Sequence, residues 1–523
     1  MLANNRMKII FQLLLSISIY MPLFTQANES AIADLYQLHC TECHGSDRLG
    51  GTGPALLPEN LTRVRNKEAT EIIQSGRPAT QMPGFKDILS TENIQSLVEL
   101  IYTPLNEVPT WDSDLINASH VIHFSAAQLG NTPVFDADPL NLFLVVETGD
   151  HHVSVLDGDR LEAIHRFKSR HALHGGPKFT SDGRFVFFAS RDGWISKFDM
   201  YNLKTVAEIR AGINTRNLAV SSDSRYVIVG NYLPNTLIIL NASDLSLLKI
   251  IQVESLGGQS SRVSAVYDAR PRESFIVALK DLTEVWEIPY GKNAQPVYPG
   301  LVHDFRYKEA IPLEGPFPVR RIQLDDYLDD FFFDKKYDNV IGAARNSKNC
   351  QVVNLSAGRK IANIEVSGMP HLGSGIIWDY QGRKVMASPN LKDGEVSIID
   401  MKTWGIVKRI KTLGPGFFIR SHENSEYAWV DVFFDPKKDV MHVINKSTLE
   451  IEKTLKPVPG KTSAHIEFTR DGKYALLSIM ETDGSLIVYD AKSLEEVKRI
   501  PMNKPSGKYN VYNKITLSTG TSH

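Results

Sequence analysis

From about Pro133 onward the chain repeats itself, and that repetition narrows the folds open to it. Each unit reads as strand, turn, strand, acidic or amide residue, turn, strand. One is Arg184-Phe185-Val186-Phe187-Phe188-Ala189-Ser190 followed by Gly193-Trp194-Ile195-Ser196-Lys197-Phe198-Asp199. Another is Tyr226-Val227-Ile228-Val229-Gly230 followed by Leu237-Ile238-Ile239-Leu240-Asn241. Further units start near Leu142, Phe275, Asn339, Lys384, Tyr427 and Tyr474. Turn phrases such as Thr180-Ser181-Asp182-Gly183-Arg184, Ser221-Ser222-Asp223-Ser224-Arg225 and Thr469-Arg470-Asp471-Gly472-Lys473 lead into strands. The start-to-start spacing is ~42–64 residues, mostly near the ~40–50 of propeller blades. A ring of such units closes its own sheet edges radially and leaves a central funnel. Eight units therefore predict an all-β eight-bladed propeller over residues 133–523. The one long spacing fits an insertion at 290–327, within or after the fourth unit.

The chain ahead of the repeats has a different character. Arg6 and Lys8 precede an apolar run over 9–24, and Thr25-Gln26-Ala27 offers small residues of the kind a signal peptidase reads. The run is short for a stable span. Residues 1–27 are expected to be a cleaved signal peptide, with export to a periplasm. Residues 28–105 carry helical signals, including Ser90-Thr91-Glu92-Asn93, which opens with capping chemistry before helix-spaced apolar residues. They predict a small all-α domain, joined by a 106–132 linker in which Pro109 breaks the chain.

Within that small domain stands Cys40-Thr41-Glu42-Cys43-His44. C-x-x-C-H is the attachment signal for c-type haem. Each thiol adds to one haem vinyl, and the adjoining histidine lies under the iron. Met82, in Gln81-Met82-Pro83-Gly84, is the candidate sixth ligand. A zinc site would need further Cys or His at close spacing, and the remaining cysteine is the distant Cys350. One covalent haem c, held through Cys40, Cys43, His44 and Met82, makes the small domain a cytochrome c.

The 523 residues carry 58 basic and 60 acidic side chains, a formal charge of −2. That balance argues against a general nucleic-acid or membrane-surface binder. No stretch after the signal segment is long enough to insert stably in a membrane.

Three histidines precede or enter blade units at corresponding positions. They are His174 in Arg170-His171-Ala172-Leu173-His174-Gly175-Gly176-Pro177, His371 in Met369-Pro370-His371-Leu372-Gly373, and His465 in Ser463-Ala464-His465-Ile466-Glu467. Glycines beside a histidine let backbone or a flat ligand come close. Each alone reads as an exposed turn histidine; the three together suggest convergence on one axial site. Arg170, Arg191, Arg216, Arg262 and Arg420 recur before or within inner strands and suit a ligand bearing several carboxylates. Taken singly, each also reads as a member of a surface ion pair.

A c-type domain followed by an eight-bladed propeller resembles the cytochrome cd1 nitrite reductases and their relatives in haem d1 assembly. Gly507-Lys508-Tyr509-Asn510-Val511-Tyr512-Asn513 is similar to that family's closing motif, and Ser190-Arg191-Asp192-Gly193 and Ile419-Arg420-Ser421-His422-Glu423-Asn424-Ser425 to other shared stretches. The resemblance implies that His174 is the proximal ligand of haem d1 and that His371 lines the distal face. The reductases carry a second distal histidine; here Asp329 is expected in its place. His465 and Tyr509 fit the biosynthetic branch. That branch removes two electrons and two protons from one propionate of dihydro-haem d1 and leaves an acrylate. The resemblance thus implies a haem d1 or dihydro-haem d1 ligand, held non-covalently. His465 is the candidate base, Tyr509 a proton relay or positioning group, and the arginines carboxylate clamps. The implied partners are the d1 precursor, a cd1 nitrite reductase or other d1-assembly proteins, and an external electron acceptor. Two other readings stay open: nitrite reduction, which would need a second histidine such as His303 over the site, and a non-enzymatic d1 carrier.

Overall fold

The computed structural model describes residues 31–50, 53–61, 64–76, 82–107, 109–292, 294–298, 311–343, 349–366, 368–434 and 436–521. The signal segment and His303 lie outside the described residues. The chain divides into two compact units, Met1–Val108 and Pro109–His523.

The first unit is helical. Residues 31–39 form a helix that runs into Thr41–His44. The helices Asn66–Ser75 and Thr91–Tyr102 follow. Ser90 caps the last one, its side chain accepting the N–H of Asn93 at 3.2 Å. The apolar stripe of that helix, Ile94, Leu97, Val98 and Ile101, is buried against Tyr36 of the first helix and against Leu61, Ala69 and Leu89. The Tyr36 hydroxyl reaches the Gly45 carbonyl at 2.9 Å, which ties the core to the turn after the haem motif.

The second unit is a ring of eight antiparallel sheets. The inner strands of blades two to eight are Leu173–Phe179, Asn214–Val220, Val263–Ala269, Asp330–Phe333, Ile376–Tyr380, Ile419–Ser421 and Ser463–Phe468. Blade one takes its inner strand, Pro505–Asn510, from near the C-terminus, pairing it with Leu142–Glu147. The middle strands are almost wholly buried, as Leu142–Glu147 and Ser274–Leu279 illustrate, because both their faces meet neighbouring blades. The insertion falls inside blade four, between its third strand Glu284–Pro289 and its fourth, Arg320–Gln323.

Part of the segment expected to be a linker belongs to the propeller. Val121–Ile122 adds a fifth strand outside Lys204–Arg210 of blade two. Before it, the helix Ser113–Ala118 buries Ile116 completely among side chains of blades two and three. The Trp111 indole donates to the Arg210 carbonyl at 2.8 Å. Apolar side chains in this stretch cover an outer blade edge, so the chain is held there instead of running free. Among the described residues, no helix is long and apolar enough to cross a membrane.

Candidate active site

In the helical unit, Cys40 and Cys43 lie three residues apart at the start of a helical turn, both half-buried and neither in a disulfide. Burial, and then the neighbouring Cys43, push the Cys40 thiol up to about 11. The His44 ring is buried, and its Nδ1 donates to the Pro54 carbonyl at 2.8 Å. That bond fixes the tautomer and leaves Nε2 as the lone-pair nitrogen. Gly53 makes the approach possible: a Cβ there would stand 2.8 Å from the His44 ring. Two thiols and an oriented imidazole are the donor set of a c-type haem, and the site fits one. Met82 is half-buried in a segment whose backbone passes against Gly76 at the end of Asn66–Ser75.

In the propeller, all eight blades contribute to one ring of contacts around the funnel. On blade two, His174 Nδ1 is 2.7 Å from the Arg216 carbonyl of blade three. A carbonyl only accepts, so Nδ1 carries the hydrogen and Nε2 the lone pair. The Arg191 guanidinium stands 2.9 Å from that Nε2, and Arg216 Nη1 3.2 Å. Arg216 Nε donates to the Ser264 carbonyl of blade four at 2.9 Å. Tyr267 of blade four donates to Asp330 of blade five at 3.2 Å. Asp330 lies 4.0 Å from His371 Nε2, just ahead of blade six. His371 Nδ1 donates to the Phe417 carbonyl, ahead of blade seven, at 2.6 Å, and the two rings lie 4.1 Å apart. Phe418 meets His465 of blade eight edge-on at 4.6 Å, and His465 meets Tyr509 of blade one at 5.5 Å. The circle closes at Gly176, where a Cβ would come 3.0 Å from the Tyr509 ring. With a φ of +70° as well, that position favours glycine twice over.

Charged side chains gather on the same inner strands and the closing segment. Arg420 is 4% exposed; its Nη1 donates to the carbonyls of Ile419 and Ser374, and its Nε has no hydrogen-bond partner among the described residues. Burial, then repulsion from Arg420, bring the Lys178 ammonium down to about 8. Burial holds the His371 imidazole below its usual range, with Asp330 pulling the other way. His465 is held much further down, by burial and then by Lys508. Burial pushes the Tyr509 phenol up to about 12.

Several expected residues therefore meet: His174, Arg191, Arg216, His371, Arg420, His465 and Tyr509. Two arginines do not join them. Arg170 pairs with Glu208 of an outer strand at 2.7 Å and lies 3.8 Å over the Trp194 ring. Arg262 pairs with Asp281 at 2.6 Å. Each is satisfied away from the ring by a carboxylate. The carboxylate facing His371 is Asp330 and not Asp329, which instead binds Lys280 at 3.0 Å. A one-residue slip in strand register exchanges the two. Sequence reasoning missed Lys178, Tyr267, Phe417, Phe418, Asp431 and Lys508. The place of Lys508 in the closing motif, next to Tyr509, was the available signal.

Such a ring, an oriented imidazole with buried cations around a funnel, has the features a flat tetrapyrrole bearing carboxylates requires, and the other domain presents the donor set of a covalent haem. Residues 137–514 match the family described as cytochrome D1 heme domain, and residues 27–101 the one described as cytochrome C oxidase, cbb3-type, subunit III. The chain belongs to the cytochrome d1 haem-domain family. It is 53% identical to the dihydro-heme d1 dehydrogenase of Pseudomonas aeruginosa over 509 residues, 97% of this chain and 99% of that protein. A solved structure of dihydro-heme d1 dehydrogenase NirN in complex with DHE matches with a TM-score of 0.86 at 54% identity, covering 92% of this chain and 99% of that one. Protein NirF of the same organism is 26% identical over 375 residues, 70% of this chain and 90% of its own.

Proposed function

We propose that this chain is a dihydro-haem d1 dehydrogenase, which converts a propionate side chain of its substrate to acrylate. The observation that carries the reading is one ring holding both an iron-ready histidine, His174, and a buried imidazole, His465, in contact with Tyr509. In the reaction –CH2–CH2–COO⁻ becomes –CH=CH–COO⁻, releasing two protons, one to a protein base and one to solvent, and two electrons, which pass singly to an acceptor. His174 Nε2 binds the substrate iron, and the Arg216 carbonyl behind it fixes the ring's tautomer. Arg420 and Lys178 supply positive charge for a substrate carboxylate, which eases loss of a proton from the carbon beside it. His465 takes that proton: its lowered pKa keeps the imidazole unprotonated at neutral pH. Tyr509, protonated throughout, donates a hydrogen bond and orients the side chain. Haem c, held by Cys40, Cys43 and His44, supplies a one-electron acceptor when bound.

Nitrite reduction fits less well. Asp330 stands where a second proton donor would be wanted, and a carboxylate there repels an anionic substrate. The localisation we propose is the periplasm, on the strength of the 1–27 segment and of c-type haem attachment. A cd1 nitrite reductase or another d1-assembly protein would receive the product, and an external acceptor would re-oxidise the chain.

The test is anaerobic incubation of the haem-loaded protein with dihydro-haem d1, followed by mass measurement of the extracted tetrapyrrole. Loss of two hydrogens is expected; an unchanged mass with a bound-ligand spectrum would make the chain a carrier. His465→Ala should bind the substrate and form no acrylate, and normal turnover by that variant removes His465 from the mechanism.

A further inference from the structure

His465 is the one ring histidine whose backbone is strained. Its φ is +54°, a left-handed conformation that costs energy for any residue with a Cβ. It sits where the register of Ser463–Phe468 against Tyr474–Ile479 shifts, between Ala464 and Ile466. Its peptide is therefore out of the sheet ladder, and buried backbone polar groups need partners. Side chains supply both. The His465 N–H points to Asp431 Oδ2 at 3.4 Å, and its carbonyl accepts from Lys508 Nζ. Both side chains are 0% exposed. Lys508 Nζ also stands 3.5 Å from His465 Nδ1. The other Asp431 oxygen accepts the N–H groups of Phe417 at 2.7 Å and Phe418 at 3.0 Å. Through Phe417, whose carbonyl holds His371, one carboxylate fixes both histidines.

A buried Asp and Lys together cost desolvation that apolar side chains of the same volume avoid. A role in the fold alone does not explain this pair. We propose that Asp431 and Lys508 are positioning residues that clamp the His465 peptide and aim its imidazole at the substrate. The proposal rests on reading His465 as the proton acceptor. Arg420 from blade seven, Tyr509 from blade one, Glu467 from its own strand and Lys514 from the helix Val511–Thr516 also face this pocket. Among them, Lys508 is the group after burial itself that most depresses the imidazole.

The experiment uses the full-length, haem-loaded protein, with Lys508→Met, Lys508→Arg, Asp431→Asn and His465→Ala beside the unaltered chain. Substrate affinity is read by spectral titration, and acrylate formation in single turnovers under anaerobic conditions from low to neutral pH. Lys508→Met and Asp431→Asn should keep the affinity and lose roughly 10–100-fold in rate, the scale of a misaimed catalytic group. In Lys508→Met the acid limb of the rate profile should move to higher pH, because a positive neighbour of the imidazole is gone. Lys508→Arg, which keeps a cation at the carbonyl, should recover part of the rate. If Asp431→Asn does not fold, the two lysine variants decide the matter. Full rate in Lys508→Met, an equal loss of affinity and rate, or an acid limb that stays in place overturns the clamp. No acrylate from the unaltered chain, or normal turnover by His465→Ala, would instead sink the proton-acceptor reading beneath it.

Discussion

Gly193→Ala tests how the His174 side of the ring is held. Gly193 has a φ of +93°, and a Cβ there would stand 1.7 Å from the Gly212 carbonyl oxygen and 2.5 Å from its carbon. Both are backbone atoms, so no rotamer change relieves the overlap, and the turn must open. The unfavourable φ costs about 1–2 kcal/mol. Opening breaks the bonds from Gly193 N–H to Ser190 O, 3.1 Å, and from Ala211 N–H to Gly193 O, 2.8 Å. At about 1 kcal/mol each, the expected destabilisation is about 3–4 kcal/mol. Gly382→Ala is the control: its φ is +76°, and nothing lies within 4 Å of the added Cβ. It should cost only the conformational share, about 1–2 kcal/mol. The same turn carries Arg191, whose guanidinium meets His174 Nε2 at 2.9 Å. Substrate affinity should therefore fall in Gly193→Ala and hold in Gly382→Ala. The assays are denaturant unfolding and spectral titration with dihydro-haem d1. Equal destabilisation of the two variants with unchanged affinity would refute the reasoning.

Three further expectations follow from other parts of the molecule. His174→Ala should weaken dihydro-haem d1 binding by more than about 100-fold and abolish its imidazole-ligated spectrum, while His371→Ala keeps that spectrum; a normal spectrum in His174→Ala would move the ligand elsewhere. Cys350 is fully buried and its thiol is pushed up to about 12, so with Cys40 and Cys43 joined to haem the native protein should show no reactive thiol and the denatured protein one; three in denaturant would mean no thioether bonds. Burial brings His442 down to about 4 while it accepts the Leu413 N–H and meets the Thr454 hydroxyl. An unfolded histidine titrates near ~6.5, so this group's contribution is whole above that pH and is lost as pH falls towards 4, in all about 3 kcal/mol. His442→Gln should flatten that loss in urea unfolding between neutral and acid pH, and an equally steep loss in the variant would assign it to other groups.

The architecture was legible because its signals are local. C-x-x-C-H spans five residues, and each blade declares itself through turn phrases and alternating apolar residues within a few tens of positions. The three ring histidines were legible because glycine or blade position marked them out. What failed was whatever depends on which way a side chain turns. Asp329 and Asp330 differ by one residue, but the first lies just ahead of the strand Asp330–Phe333 and binds Lys280, while the second opens the strand and faces His371. Arg170 and Arg262 precede inner strands, and nothing local in the sequence sets them apart from Arg216 and Arg420 within such strands, but carboxylates in their own neighbourhood hold them. Phe417 and Phe418 read as core, since nothing in an apolar pair reveals that one ring packs on a histidine and the other beside a second. Asp431 was invisible because buried charges are rare, and Lys508, despite its place beside Tyr509, reads by itself as a surface lysine.

Lys508 and Tyr509 reach the funnel on a strand synthesised some 360 residues after the one it pairs with, as the Ser506 Oγ to Val146 carbonyl bond marks (|i−j| = 360). His174, by contrast, is made early. A growing chain thus has His174, the proposed iron ligand, long before it has a closed pocket, and the pocket is complete only when the last strand closes the ring. Products cut short by a few dozen residues would be inert towards the tetrapyrrole and open to proteases. A bound substrate, bridging blade two to blade one, would act as a lock across that seam and slow its reopening.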